Sequence, residues 1–125
     1  VRSLLAAVVT MSFDAATRVA RADALDDVRA AKKIRVAIDL GSPPFGTTDS
    51  AMKPTGSDVE TARLLAKDLG VELEIVPTTG ANRIPFLQTG KADLVISSLS
   101  ITAERAKVID FSMPYAVLRT VIAAP

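Results

Sequence analysis

Short β-rich segments alternate with helix-like segments along most of this 125-residue chain. Residues 34–38, 71–76, 92–97 and 115–124 are rich in Val, Ile and Leu, a composition typical of strands. Helix-like segments begin at the candidate capping residues Ser57, Asn82 and Thr102, and the first two end at Gly70 and Gly90. Strands that alternate with helices across short connections favour an α/β fold with a mainly parallel sheet and right-handed crossovers. The length suits one such domain and is too short for two.

The clearest helix is predicted to begin at Ser57 and to end before Gly70. Ser57 and Glu60 have the spacing of a capping box, in which the two side chains satisfy free amides at the helix start. Apolar residues recur along one face of this segment, and Gly70 suits a left-handed C-terminal cap. Shorter helical segments are predicted after Asn82 and after Thr102.

The N-terminal segment has two interpretations. A short apolar run at residues 4–13 follows Arg2, and Ala22-Asp23-Ala24 matches a small-x-small cleavage site, which together indicate an export signal. The alternative is one amphipathic helix over residues 4–31. We therefore expect residues 1–24 to be either a signal peptide or part of an N-terminal helix that belongs to the fold.

The composition argues against several classes of function. The chain has no Cys and no His, which removes thiol and imidazole catalysts and the usual zinc ligands. The formal charge is +1, and no basic cluster indicates a nucleic-acid partner. No Gly-rich phosphate loop, metal-ligand cluster or nucleophile–base pair is visible. We expect no enzyme activity, no metal and no cofactor.

Ligands of parallel α/β sheets gather beyond the carboxyl ends of the strands. Three predicted loops meet at that edge of the sheet, which we call the rim: residues 39–45, 78–83 and 97–105. The third loop carries the hydroxyls of Ser98 and Ser100 beside a helix start, where exposed amides favour an anion. A carboxylate held there would also meet Arg105, whose guanidinium can donate to both oxygens.

Three further residues on the predicted loops are candidate ligand contacts. Arg83 lies near a helix start and can hold a second anionic or carbonyl group, Asp39 can accept from an ammonium, and Phe45 can offer apolar contact. Each has a structural alternative: an exposed helix residue for Arg83, a brace for the Pro-rich loop for Asp39, and core packing for Phe45. Arg105 can likewise be a solvated side chain that pairs with a neighbouring acid.

Six motifs follow one another in a fixed order: Lys33-Ile34-Arg35-Val36, Pro43-Pro44-Phe45, Gly56-Ser57-Asp58-Val59-Glu60, residues 82–93, residues 97–105 and residues 110–115. Together they resemble the family 3 bacterial solute-binding proteins, the amino-acid receptors of ABC importers. The resemblance implies a periplasmic-binding-protein-like lobe with a mainly parallel sheet flanked by helices. It implies that residues 25–125 form part of the first lobe and that the chain is truncated before the second.

The resemblance also implies roles for the candidate residues. Ser98, Ser100 and Arg105 would bind the α-carboxylate of the ligand. Arg83 would meet a side-chain carboxylate, as in receptors for acidic amino acids, whereas Asp39 matches a position that contacts cationic side chains. Arg83 thus implies a ligand with an acidic side chain and Asp39 implies one with a cationic side chain, so the resemblance does not decide which amino acid binds.

The function that the resemblance implies is that of a periplasmic receptor, which captures an amino acid or related carboxylate for an ABC permease in the membrane. One alternative is a cyclohexadienyl dehydratase-like enzyme with Glu60, Glu104 or Asp39 as its acid, and another is a ligand-sensing domain. A single lobe would present only half of the ligand-binding site, and it could not close over the ligand, so we predict weak or absent binding by a monomer. Uncovered apolar surface predicts a homodimer or a strand-exchanged oligomer.

Overall fold

The computed structural model describes residues 24–118 and contains a three-stranded parallel sheet. The strands are β1 (Lys33–Ile38), β4 (Glu72–Pro77) and β5 (Leu94–Val95), in the order β4-β1-β5. A two-stranded antiparallel hairpin, β2 (Thr47–Thr48) with β3 (Pro54–Thr55), lies in the loop after β1. The helices are α1 (Ala24–Ala31), α2 (Ser57–Leu69) and α3 (Arg83–Gln88), with a 3-10 turn at Arg105–Lys107. The predicted α/β lobe with a mainly parallel sheet is confirmed.

The core lies between β1 and α2. β1 is the middle strand, and its residues Val36, Ala37 and Ile38 are completely buried, as expected of a strand covered on both faces of a parallel sheet. α2 contributes Val59 and Ala62, both completely buried, from its apolar face. The small side chains on this face let the helix pack closely on the sheet, which fixes the position of its first turn relative to the strand ends.

One ion pair ties β1 to the start of β5. The carboxylate of Asp93 accepts from the Arg35 amide at 2.8 Å and from Arg35 Nε at 3.1 Å, while Arg35 Nη1 donates to the Gly90 carbonyl at 2.7 Å. Burial opposes ionisation of Asp93, but these hydrogen bonds outweigh it and lower the pKa of the carboxyl. The pair therefore stabilises the junction at the amino-terminal edge of the sheet, opposite the rim.

The start of α2 is capped by main chain rather than by the predicted capping box. Gly56 is the N-cap residue and no side chain caps the helix. Instead, the Ser57 amide donates to the Pro44 carbonyl at 3.3 Å, and the Asp58 amide donates to the Phe45 carbonyl at 2.9 Å. The prediction of a capping box was wrong because carbonyl groups of the loop after β1 already accept hydrogen bonds from the first amides of the helix. The left-handed cap at Gly70, with φ 66°, is confirmed.

Other local predictions were wrong in detail. The β2–β3 hairpin at residues 47–55 was not predicted, and the strand predicted at 92–97 contracts to Leu94–Val95. Asn82 is the N-cap residue of α3, but its side chain makes no cap hydrogen bond: its own backbone is helical, with φ −95° and ψ −7°, whereas a capping residue usually has non-helical dihedral angles. Residues 115–118 have no regular structure, and the remainder of the predicted last strand lies outside the described residues.

The two N-terminal interpretations stay predictions, because the residues that distinguish them lie outside the described part of the chain. Helix α1 starts at Ala24 and buries Val28 in the core, so the described end of the predicted 4–31 helix is helical. The proposed cleavage site and the apolar run before it lie outside the described residues. No helix within residues 24–118 combines the length and apolar character needed to cross a membrane.

Candidate functional site

The three predicted loops meet at the rim, where one side chain joins them. Arg83, at the start of α3, donates from Nη2 to Asp39 Oδ2 at 2.9 Å and from Nη1 to the Ser98 carbonyl at 3.0 Å. Asp39 follows β1 and Ser98 follows β5, so one guanidinium connects the ends of two strands to the start of a helix. The convergence predicted from the sequence is therefore present.

Asp39 and Arg83 form a largely buried ion pair. Their side chains are 16% and 13% exposed. The hydrogen bond from the Gly41 amide, at 3.0 Å, and the contact with Arg83 outweigh burial and lower the pKa of Asp39. Among the described residues, Arg83 Nε is buried with no hydrogen-bond acceptor. The structure thus places both predicted ligand contacts against each other rather than in an open cleft.

A cleft of about 340 Å³ opens beside this pair. Its walls come from the loop after β1, the first turn of α2, the loop after β5 and the irregular segment at residues 111–118. Ser98, Ser100 and Phe45, all predicted as ligand contacts, line it. This volume is in the range of small-molecule sites, which combine apolar walls with a few polar groups.

Arg105 lies next to the cleft but is not among its lining residues. Its Nη1 donates to the Ser100 carbonyl at 2.9 Å, and its amide donates to Thr102 Oγ1 at 3.3 Å. Thr102 was predicted as the N-cap, but the N-cap residue of the 3-10 turn is Glu104, and the Thr102 hydroxyl accepts only this one hydrogen bond from the turn. The guanidinium is partly exposed and braces the main chain of the cleft wall through a neutral acceptor.

Asp58 is the cleft residue that the sequence analysis did not single out. It stands on the first turn of α2, is 6% exposed and lines the cleft together with Tyr115. Burial raises the pKa of Asp58, and the Arg83 guanidinium partly opposes this rise. The available signal was its spacing: Asp58, Ala62 and Ala66 recur at i, i+4 and i+8, which puts the carboxylate on the buried face.

The arrangement offers chemistry for binding a polar small molecule. It combines serine hydroxyls, partly exposed aromatic rings and one buried carboxylate in a single cleft. No group of three or more acidic residues that could hold a metal occurs within the part of the chain that the structure describes.

Comparison with curated proteins identifies relatives that bind amino acids. The chain is 37% identical to the L-cystine-binding protein TcyJ of Escherichia coli over 74% of its length and 35% of that protein. It is 34% identical to the ABC transporter arginine-binding protein 1 of E. coli, over 69% of the chain and 35% of that protein. A cyclohexadienyl dehydratase of Pseudomonas aeruginosa is 33% identical, over 73% of the chain and 34% of that protein. The chain thus spans about a third of the length of these relatives.

Solved structures show the same fold. An ancestral cationic amino acid solute binding protein superposes with a TM-score of 0.72 and 46% identity, over 75% of this chain and 41% of that chain. The arginine-bound form of domain 1 from TmArgBP superposes with a TM-score of 0.69 and 41% identity, over 72% of this chain and 71% of that chain. The model of the bacterial extracellular solute-binding proteins, family 3, matches residues 34–125. The chain belongs to this family.

Proposed function

We propose that the chain is the ligand-binding lobe of a periplasmic amino-acid receptor that serves an ABC importer. The observation that carries the proposal is the cleft at the carboxyl ends of the strands, lined by Ser98, Ser100 and Phe45. The family and the amino-acid-binding relatives support it. The permease as partner and the periplasm as location follow from the same relationship.

The carboxylate of the ligand would be held by the loop after β5. Ser98 and Ser100 line the cleft there, and Arg105 stands directly behind Ser100 through its hydrogen bond to the carbonyl. A hydrogen bond from a guanidinium to a carboxylate is stronger than one to a neutral carbonyl. A bound carboxylate would therefore draw Arg105 Nη1 away from the Ser100 carbonyl and into the cleft.

Asp39 and Arg83 act as positioning residues in this proposal. The two side chains neutralise each other's charge, and the Ser98 carbonyl accepts a second hydrogen bond from the Arg83 guanidinium. Recruiting either group to a ligand would leave its partner buried and uncompensated, which is costly. Their role is to hold the loop that carries Ser98 against the end of β1.

Binding by one lobe is part of the proposal. A half-site lacks the closure that removes a ligand from water, so weak affinity is expected. The related domain 1 structure is arginine-bound and of similar extent to this chain. That precedent supports measurable binding by the 125-residue chain. The homodimer or strand-exchanged oligomer expected from the sequence stays a prediction.

Titration calorimetry with single amino acids tests the receptor proposal, with Arg105→Ala as the variant. We expect affinity for the preferred amino acid to fall at least 10-fold, because the charge-assisted hydrogen bonds to the carboxylate are lost. Lys107→Ala is the matched control, since Lys107 is an exposed cation in the same 3-10 turn. Equal affinity of the two variants would contradict the assignment of Arg105.

A dehydratase on the same scaffold is the second candidate. One relative carries this activity in its name, and a carboxyl with raised pKa, Asp58, lines the cleft. The acids proposed from the sequence fit less well: Glu60 is hydrogen-bonded to Arg63, Glu104 is exposed and Asp39 is paired with Arg83. We therefore favour binding and expect no product from arogenate or prephenate, whereas turnover would establish the enzyme.

A further inference from the structure

Residues 113–118 expose apolar side chains and leave their main chain unpaired. Met113, Tyr115 and Val117 are 86%, 63% and 85% exposed. Within residues 24–118, the main chain of this segment makes one hydrogen bond, in which the Met113 carbonyl accepts from Ser112 Oγ at 3.0 Å. The sequence predicts a strand from residue 115 onwards, and a strand needs a neighbour that satisfies its amides and carbonyls. The segment therefore lacks a strand partner in the described part of the chain.

A groove of about 450 Å³ lies along β5. Its walls come from β5, from the end of α3 and from residues 108–112, and most of the lining side chains are apolar, Leu94 and Val108 among them. β5 stands at one end of the sheet and pairs with β1 within residues 24–118, which leaves its other edge free there. A free strand edge beside apolar side-chain pockets is the kind of site that accepts an added strand.

The charges of the groove suit residues 113–118. Asp93 and Asp110 are the charged residues among the described residues that line it, and Arg35 pairs with Asp93, so Asp110 leaves the groove negative. Residues 113–118 contain no acid that would be repelled, and Arg119 follows them in the sequence. The segment and the groove are therefore complementary in charge as well as in apolar character.

The opposite end of the sheet lacks this complementarity. β4 carries the exposed acids Glu72 and Glu74, and acids on an outer strand discourage the addition of a further strand. Residues 113–118 carry no charge at all. Among these two candidate sites, strand addition is therefore favoured at β5.

A second copy of the chain is the partner that supplies both surfaces. Within one molecule Met113 and Val117 are exposed and do not line the groove. Two copies related by a two-fold axis can exchange their segments, so that each contact is made twice. The inner side of the segment can keep its place at the ligand cleft during this exchange, because Ala116 and Leu118 line that cleft whereas Val117 does not.

We propose that the chain forms a two-fold dimer in which residues 113–118 of each copy add as a strand to the free edge of β5 in the other copy. Val117 then lies in the groove of the second copy, beside the wall that contains Val108. The second copy thereby supports the outer side of one wall of the ligand cleft. This inference goes beyond the receptor function and does not depend on it.

Sedimentation velocity over a concentration series tests the dimer with the 125-residue chain. We expect a reversible dimer whose dissociation constant rises at least about 10-fold in Val117→Asp and in Val108→Asp, because each variant places an unpaired carboxylate in the interface. Both side chains are more than half exposed, at 85% and 54%, so neither change should unfold the chain, and circular dichroism checks this.

Leu64→Asp is the matched control. Leu64 is 62% exposed on α2 and lines neither the cleft nor the groove. The dissociation constant of this variant should stay within about 2-fold of the unmodified chain.

A mixture of the two interface variants identifies which surfaces meet. The Val117→Asp chain keeps an unmodified groove, and the Val108→Asp chain keeps an unmodified segment. A mixed dimer therefore contains one unmodified contact, whereas a dimer of either variant alone contains none. We expect the equimolar mixture to dimerise at least about 3-fold more tightly than either variant alone.

Three results would overturn the inference. One is a chain that stays monomeric at about 100 μM, as it would if another segment of the same molecule covered the groove. Another is a dimer that Val117→Asp or Val108→Asp leaves unchanged, which would place the interface elsewhere. The third is a mixture no tighter than its components, which would indicate that the segment pairs with itself rather than with β5. These measurements use no amino acid, so each of these results would leave the receptor proposal standing.

Discussion

Gly56 joins the ligand-facing loop to helix α2, and we expect its replacement by Ala to destabilise the protein. The φ angle of Gly56 is 117°, a conformation that side chains rarely adopt. A Cβ built there would lie 2.7 Å from the Phe45 carbonyl carbon and 2.9 Å from the Pro44 carbonyl oxygen. Both neighbours are main chain, so no flexible side chain can move aside.

The expected magnitude combines two effects. Holding a non-Gly residue at this φ costs about 1–3 kcal/mol. Moving the loop away from the Cβ would break the hydrogen bonds from the Ser57 and Asp58 amides, each worth about 0.5–1.5 kcal/mol. Partial relaxation makes the sum smaller than the parts, and we expect the free energy of unfolding to fall by about 3 kcal/mol. For a domain of this size the melting temperature would drop by roughly 10–20 °C.

Thermal and urea unfolding followed by circular dichroism measure this loss. Gly80→Ala is the matched control, because a Cβ at Gly80 meets no atom within 4 Å and Gly80 has no left-handed φ. We expect the control to stay within about 0.5 kcal/mol of the unmodified chain. If Gly56→Ala lost less than about 1 kcal/mol, the close approach of the loop carbonyls to Gly56 would not determine stability as reasoned.

Two further substitutions test the sheet and the core. Asp93→Asn should lower the free energy of unfolding at pH 7, measured by urea unfolding, by about 1–2 kcal/mol. This loss is smaller than for a fully buried ion pair, because the Arg35 side chain is 37% exposed and solvent screens the charges. Since the pKa of Asp93 is lowered in the folded state, this difference should be full above about pH 4 and disappear as the pH falls through that pKa. Val59→Ala should cost about 1.5–3 kcal/mol because Val59 is completely buried, whereas Leu64→Ala, at a side chain 62% exposed on the same helix, should change stability by less than about 0.5 kcal/mol.

The features predicted well from the sequence are those fixed by local physics. The bounds of α2 follow from helical spacing and from Gly70, and both signals lie within the helix itself. The cap of α2 could not be predicted, because the Pro44 and Phe45 carbonyls that supply it lie outside the helix, in the loop after β1. β5 was predicted too long for a similar reason, since its extent depends on pairing with Val36 and Ala37 of β1.

The same distinction applies to the site. Ser98, Ser100 and Phe45 line the cleft because strand ends of a parallel sheet share one edge, which the order of the elements predicts. Arg83 and Asp39 were predicted as two separate ligand contacts. They are 44 residues apart in the sequence, and the sequence alone does not show that their opposite charges form an ion pair. Their pairing emerges only once the crossover brings the start of α3 over the end of β1.

The contacts of Arg83 have an evolutionary consequence. Its guanidinium grips the Asp39 carboxylate and the main-chain oxygen of Ser98, so the geometry of the rim does not depend on which side chain residue 98 carries. Substitutions at Ser98, Ser100 or Phe45 can then alter ligand preference while the loops keep their preassembled positions. A lobe built in this way can diversify its selectivity without renewed selection for folding.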